Sequence, residues 1–555
     1  LWLNKLAKIK NYWQDAMTVP SFPNNNIGYL CTDWQVERGL GQKTALMFLD
    51  RYETLQELSF AELTILTNKA ANLLSTLGFR KGDRVMLLLS KIPEMFAFFL
   101  GGMKLGLNCC ILFTSIGEDS IIERIRDTHT RAIISTSRMN FRLEKVVQNL
   151  DEDFRILLVD QSRAEGRFVG IQQGFETASA DFSTPDTNPE QYSHFHFTSG
   201  STGKPKAVQH CHGAIIDHLR SFEAVMQADP DDLYWCTADP GWVTGTTYGI
   251  TAPWASGLTQ IQLDANYDPE LWMRIIEHQR VNVFYTAPTV FRMMAQQTDA
   301  FYQQYNLRSL KRVYTVGEPL DPNLVLWGRK VFQCEIYDTW FQTETGSIMV
   351  ANRPGLEVRP GSMGKPLPYL EAAILESKDH PLPENTQGLL CIRKPWKSMF
   401  REYVGSPLVY QNKFLGDFYN SGDIAYRDED GYFWYIGRSD DVINTAGHLV
   451  SPFEIESAVM EVPHVLDCAV VGLPDELLYE KVVAFVVHDQ QALSLRKLDM
   501  EIKLFVSKKV ASLAAPKEIV FIEKIPKTKS GKVMRRVLKK QYLGEDVGDL
   551  STMEQ

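Results

Sequence analysis

At 555 residues the chain is too long for a single hydrophobic core and calls for about two to four structural units. Apolar residues at 44% and charged residues at 23% describe an ordinary globular protein. A net charge of −10 argues against general nucleic-acid binding, and no repeat, low-complexity tract or coiled-coil period is visible.

The chain opens on a mildly basic amphipathic stretch, Leu1 through Met17, with no signal-peptide core and no initiating Met. Residues 30–190 alternate helical and strand patterns. Phe60 through Leu77 has apolar residues at helical spacing and ends at Gly78. Arg84 to Leu89 reads as a buried strand, Pro93 to Lys104 as a helix, and Arg131–Ser135 and Arg155–Asp160 as short apolar strands. Continuous apolar strands alternating with helices imply parallel sheets covered on both faces. The most apolar stretch, Met95 to Ile116, is broken by Lys104, Asn108 and glycines, so it reads as a buried helix and strand and not as a membrane span.

A short strand at Ser193–Phe197 then leads into Thr198-Ser-Gly-Ser-Thr-Gly-Lys-Pro-Lys206, which packs hydroxyls, two glycines and two lysines into nine residues. Glycine lets a backbone approach a phosphate closely, hydroxyl and N–H groups donate to it, and lysine supplies charge. The Walker loop is excluded, because only two residues separate Gly200 from Gly203 and Pro205 follows Lys204. A plain Gly/Ser connection is the alternative reading. His212 to Met226 follows as a helix. Strands are expected at Leu233–Thr237, Val281–Tyr285, Arg312–Val316 and Glu335–Tyr337, each ending in a polar or Gly/Pro turn. Ligands gather at such carboxyl ends in open parallel sheets.

Residues 360–437 turn β-rich, and Gly437–Asp441 marks a domain boundary. Ser451-Pro-Phe-Glu454 reads as a capping box. Strands at Asp467–Val471, Val482–Val487 and Glu518–Ile522, with helices near 497–511 and beyond Val533, complete a compact α+β unit. Residues 501–540 carry twelve Lys/Arg against three Glu, either a solvated face or a surface for a polyanionic small molecule. The eight cysteines show no metal spacing and no CxxC, as expected for buried thiols in a reducing compartment. A soluble cytoplasmic protein without a membrane span is the expectation.

Together these pieces resemble the superfamily of adenylating enzymes that includes acyl-CoA synthetases, luciferases and peptide-synthetase adenylation domains. They look most like its AMP-forming acetyl-CoA and short- to medium-chain acyl-CoA synthetases. Five motifs occur in order: Thr198–Lys206, Gly317-Glu-Pro319, Tyr337–Gly346, Ser421-Gly-Asp-Ile424 with Gly437–Asp440, and Pro526–Lys532. The resemblance implies an α/β fold. Residues 1–439 would form a large N-terminal domain of stacked, largely parallel sheets with helices and a small β-barrel-like unit. Residues 440–555 would form a small mobile α+β domain.

The implied reaction has two steps. A carboxylate attacks the α-phosphate of MgATP to give acyl-AMP and pyrophosphate, and the thiol of CoA then attacks the acyl-AMP carbonyl. The first step brings two anions together, so alignment and charge neutralisation should dominate. In this resemblance Thr198, Ser199, Gly200, Ser201, Thr202, Gly203 and Lys204 hold the β- and γ-phosphates. Gly317, Glu318, Pro319, Asp338, Thr339, Trp340 and Gln342 line the nucleotide pocket. Thr343 donates to the α-phosphate and Glu344 binds Mg²⁺. Asp423 takes the ribose hydroxyls with Arg438 beside it. Lys532 reaches over the site to the carboxylate and α-phosphate, Asp440 is the hinge, and Ala446 and Gly447 meet the pantetheine arm of CoA. Small carboxylic acid, ATP and CoA are thus the implied partners, with no nucleic acid, for a monomer or homo-oligomer.

Trp242, Val243, Thr244, Val316 and Phe341 are the implied acyl pocket, with Trp254 on its acyl side. Acetyl-CoA synthetases place Trp where Phe341 stands and medium-chain relatives place Gly. Phe is intermediate, which points to short-chain through small branched, cyclic or aromatic acids, acetate included. Two positions depart from the pattern: Ala207 replaces a usual Gly, and Leu449 replaces an Arg that contacts the nucleotide phosphate. Losing that charge-assisted contact implies weaker nucleotide holding and near-reversible operation. A carrier-protein thiol as acceptor, a luciferase-type oxidase and a non-catalytic nucleotide-binding regulator are the rival readings.

Overall fold

The computed structural model describes residues 22–198, 205–377, 380–446, 448–489, 494–528 and 533–547, with 550 and 553. Among them, three sheets organise the chain. One of nine strands runs through residues 84–211, with an edge strand at Glu402–Tyr403. Its centre is parallel, Arg84–Leu88 lying between Asn108–Ile111 and Ala132–Ser135. Every residue of the last two strands is buried, which explains their unbroken apolar sequences.

A second sheet of fourteen strands has a parallel centre in the order Leu233–Cys236, Val283–Thr286, Arg312–Val316 and Ile336–Trp340. It continues through antiparallel strands at Val350–Ala351 and Ser362–Pro366 into the β-rich region that ends at Phe433–Arg438. A third sheet of five strands begins at Ile443–Thr445, beyond the expected boundary. Its central pair, Val465–Asp475 with Tyr479–His488, packs on helices Pro452–Met460 and Leu495–Lys509 through a core that includes Ile443, Ile455, Val470 and Ile502.

Two local expectations shift. The strand expected to end at Tyr337 runs to Trp340, so Asp338 lies inside the sheet and not in a turn. At Ser451 only half of the capping box forms: its Oγ accepts from Glu454 N at 3.3 Å but donates to the Ile436 carbonyl. The complete box is at Ser59–Glu62, opening helix Phe60–Thr76. None of the described helices is long and apolar enough to cross a membrane. All eight cysteines are free, and seven are buried.

Candidate active site

The parallel strands of the large sheet end side by side. The turns that follow them carry most of the residues expected to handle a nucleotide. Gly317, directly after Arg312–Val316, has φ +94°, a backbone setting that favours glycine. Glu318 next to it accepts from Thr289 Oγ1 at 2.7 Å and is ion-paired with Arg292.

Asp338 is buried on the adjacent strand, its Oδ1 accepting from Thr315 Oγ1 at 2.9 Å and from Thr339 N at 3.0 Å. Burial pushes its pKa up to about 7, against the opposing pull of those two hydrogen bonds. Thr339 also bonds to Tyr285 Oη at 2.7 Å and to the Thr315 carbonyl at 2.7 Å, which locks this corner of the pocket.

Asp423 is the most fully held carboxylate of the set. Trp340 Nε1 and Gln342 Nε2 donate to Oδ2 at 3.0 and 2.9 Å, and Arg438 Nη1 donates to Oδ1 at 3.1 Å. Asp423 and Arg438 are register partners on paired antiparallel strands. Burial opposes the Arg438 charge, but Asp423 and then Asp440 outweigh it and hold its pKa above the usual value. Gln342 Nε2 also donates to the Ser421 carbonyl at 3.1 Å, and Gln342 Oε1 accepts from Tyr419 Oη at 2.8 Å. Trp340 and Gln342, expected at the nucleotide, thus fix the orientation of the acid expected to bind it.

Thr343 and Glu344 share a half-buried turn whose chain reversal uses Gly346 at φ +74°. Tyr403 Oη donates to Glu344 Oε1 at 2.8 Å, a partner that nothing in the sequence pattern singles out because it lies on the edge strand of the other sheet. Among the described residues no cluster of three His, Cys, Asp or Glu groups could ligate a metal. A carboxylate oriented by a hydroxyl is the hard oxygen ligand that Mg²⁺ takes, so Glu344 fits that ion.

Among the residues expected at the acyl pocket, Phe341 meets Tyr248 edge-on, centroids 5.3 Å apart and planes at 78°. Both pack in one cluster with Val316, Tyr285 and Tyr314. Tyr248 is pinned by Ser221 Oγ and Ile348 N, each at 2.7 Å. Val243 and Thr244 open the helical segment that carries it, Val243–Thr246 continuing into Thr247–Thr251. Trp242 stands before that segment, 4.6 Å from Phe113, and with Thr198 and Pro205 it borders a small recess of about 20 Å³. Trp254 does not join this group. It is fully buried against Phe96 in another core and donates to the Ala45 carbonyl at 2.9 Å, so its size serves packing.

Asp440 is exposed, 3.6 Å from Arg438 Nε. Ala446 is exposed at φ +51°. Ser199 to Lys204, Gly447, Lys532 and the side chain of Leu449 lie outside the described residues.

Residues 32–404 match the AMP-binding enzyme family, and residues 454–532 match the AMP-binding enzyme C-terminal domain. The chain belongs to the AMP-binding enzyme family. It is 40% identical over 533 residues to an acetyl-coenzyme A synthetase of Bacillus subtilis, covering 95% of this chain and 92% of that protein. An acetyl-coenzyme A synthetase of Pasteurella multocida is 35% identical, covering 95% and 86%. Among solved AMP-binding enzymes, an anthranilate CoA ligase in complex with anthranoyl-AMP superposes with a TM-score of 0.84 at 25% identity, over 94% of this chain and 98% of that one. A Brucella canis acyl-CoA synthetase superposes at 0.73 with 28% identity, over 96% and 97%. The α/β architecture of the AMP-binding enzymes is therefore this chain's own.

Proposed function

We propose that the protein joins short-chain to small branched, cyclic or aromatic carboxylic acids to CoA through an acyl-adenylate. Its class follows from the family and its relatives: an AMP-forming acyl-CoA synthetase that uses ATP, Mg²⁺ and CoA. The choice of acid rests on one observation, the edge-on packing of Phe341 against Tyr248. The Tyr248 hydroxyl is consumed by Ser221 and Ile348, so the wall offered to an acyl chain there is apolar ring surface. A phenyl ring at 341 leaves more space than an indole would. One methylene of difference is worth only about 10–200-fold in such a pocket, so a range of small acids should be accepted.

In this reading Thr343 donates to the α-phosphate as the carboxylate attacks it. Glu344, steadied by Tyr403, holds Mg²⁺, which would neutralise charge on the phosphate oxygens. Asp423, oriented by Trp340, Gln342 and Arg438, accepts from the ribose hydroxyls, and Arg438 holds its charge. Lys532 supplies the cation between the two reacting anions. The chain divides at 439/440 into an adenylating domain and a C-terminal domain, with Asp440 as hinge. That turn brings Ala446 and Gly447 to the pantetheine arm, and Trp242 borders the path of the thiol. Leu449 makes nucleotide or pyrophosphate holding weak and operation near-reversible; Leu449→Arg should change the kinetics in both directions, and unchanged rates would remove this role. Buried free thiols support a cytoplasmic setting.

The test is ATP–pyrophosphate exchange over a panel of acids, followed by thioester formation with and without CoA. Exchange with acetate, propionate and isobutyrate is expected. Exchange with none of the small acids would overturn the reading.

A further inference from the structure

Five of the eleven histidines lie between positions 194 and 218, and all five are buried. Four of their rings form one contiguous group. His194 stacks on His210 with centroids 5.1 Å apart and planes at 15°, a contact set by their pairing across the two strands that flank the nucleotide loop. His196 meets His194 edge-on at 5.4 Å, and His218, from the following helix, meets His194 at 6.2 Å. The central ring, His194, is tethered to Ser193 Oγ, and His218 to Thr251 Oγ1, each at 2.9 Å. Among the described residues, the buried ring nitrogens of His196 and of His210 make no hydrogen bond of good geometry, although the Gly241 and Thr343 backbones lie beside them.

Unpaired buried polar atoms are costly, so rings of this kind need a reason beyond filling space. Their neighbours supply one. A Cβ built on Gly346 would stand 3.1 Å from His210 Cε1 and 2.4 Å from the Ser398 carbonyl, so the His210 ring lies directly behind the turn that carries Thr343 and Glu344. His196 precedes Thr198 by two residues and faces the backbone of Gly241, beside Trp242. Thr251, which holds His218, lies on the helical segment that carries Tyr248, and Thr247 of that segment donates to the Gly346 carbonyl at 3.1 Å. The four rings therefore touch the nucleotide-loop strands, the turn of Thr343, the turn of Trp242 and the acyl-side helix.

We propose that His210, backed by His194 and with His196 beside it, is a positioning residue for adenylation: its ring is the backstop that fixes the Gln342–Gly346 turn relative to the nucleotide loop. The inference rests on the reading of Thr343 and Glu344 as the groups that handle the phosphates and the metal. A packed ring stack suits the task, because it cannot be compressed and has no flexible torsion beyond its own Cβ. Small displacements of a reacting constellation cost orders of magnitude in rate.

The experiment measures both half-reactions of His210→Ala, His210→Gln and His196→Gln, with Glu344→Gln as control, well below each variant's melting temperature. His210→Ala should lower kcat for acid-dependent ATP–pyrophosphate exchange at least tenfold, with KM for ATP within threefold of wild type. Its thioester formation from supplied acyl-AMP should stay within threefold. His210→Gln, flat and of similar size, should recover most of the exchange. If His210→Ala does not fold, the proposal requires a threefold or larger kcat loss confined to exchange in His196→Gln. Exchange within threefold of wild type in His210→Ala, or equal loss in both half-reactions, would overturn the backstop. Wild-type exchange in Glu344→Gln would instead overturn the reading of the turn on which it rests.

Discussion

The carboxylate of Asp423 and the guanidinium of Arg438 face each other across a strand pair at 3.1 Å, and the same guanidinium lies 3.6 Å from Asp440. One cation thus serves both the acid assigned to the ribose and the residue assigned to the hinge. Breaking a buried ion pair by deleting one partner costs about 3–5 kcal/mol. Arg438 is partly exposed, so Arg438→Met should destabilise by less, about 2 kcal/mol, and raise KM for ATP about tenfold. Adding Asp423→Asn should restore most of the stability but none of the affinity. Denaturant midpoints and ATP titrations check both, and an unchanged midpoint in Arg438→Met would mean that Trp340 and Gln342 suffice to hold the acid.

Asp338 gives a pH signature. Its pKa in the fold is about 7 against an ordinary 3.8, raised by burial. The unfolded chain releases this proton near pH 4 and the folded protein only near pH 7, so across that window the folded state binds more protons. Its contribution to stability therefore falls as pH rises, by about 2–3 kcal/mol between pH 5 and 8. Asp338→Asn keeps an acceptor for Thr315 and Thr339, and it should gain stability over wild type at pH 8 more than at pH 5. Equal gains at both values would show that the carboxylate titrates normally.

The histidine group acts in the opposite sense. Burial lowers His196 to about 4 and His212 and His218 to about 3, and it takes His194 and His210 well below 6.5. Lys81 beside His212, Arg401 beside His210 and the other imidazoles push the same way, while the Gly241 backbone opposes the shift at His196 and the Thr343 backbone opposes it at His210. Below pH 6.5 the unfolded chain takes up protons that the fold refuses, so stability drops as pH falls towards 4. Each such ring adds about 1.4 kcal/mol per pH unit, and the one proton of Asp338 offsets only one of them. Unfolding midpoints at pH 7, 6 and 5 should fall with accelerating slope, and His196→Gln should remove about one proton from it. A flat profile down to pH 5 would mean that the rings protonate inside the fold.

Parallel strands were legible because burial on both faces leaves continuous apolar runs such as Arg84–Leu88, and the turns that end them carry the motifs. Other features depend on contacts between distant residues. Asp338 looked like a turn residue because its charge is tolerable in a strand only with Thr315 alongside. Tyr403 reaches Glu344 from the other sheet, 59 residues away in sequence. The histidines alternate with apolar neighbours, as surface residues of a half-exposed strand would. Only the cross-strand register, and a helix from further along the chain, shows that their face is covered.

Lys532 is the cation assigned to the adenylation step alone. Lys532→Ala should abolish acid-dependent pyrophosphate exchange while leaving thioester formation from supplied acyl-AMP near wild type, because the turn about Asp440 carries Lys532 away from the site before the second step. Acylation of the same lysine, which removes its charge, should reproduce that split. Equal loss of both half-reactions would take the residue out of this role.

Phe341 offers the most direct control of the acid. Its ring stands 5.3 Å from that of Tyr248, which Ser221 and Ile348 hold in place, so a change in volume at 341 is not absorbed by movement of its partner. Phe341→Trp should therefore subtract space from the acyl pocket. It should leave acetate turnover within a few-fold and lower kcat/KM for isobutyrate and benzoate by at least about 10–200-fold, the worth of one methylene in an apolar pocket. Phe341→Gly should extend the range to longer chains and lose acetate affinity, since acetate would no longer be held against a wall. Its cost in stability should be about 3 kcal/mol or more, as for other aromatic truncations in cores. Specificity constants over C2 to C8 acids decide it, and an unchanged acid profile in both variants would place the pocket elsewhere than between residues 341 and 248.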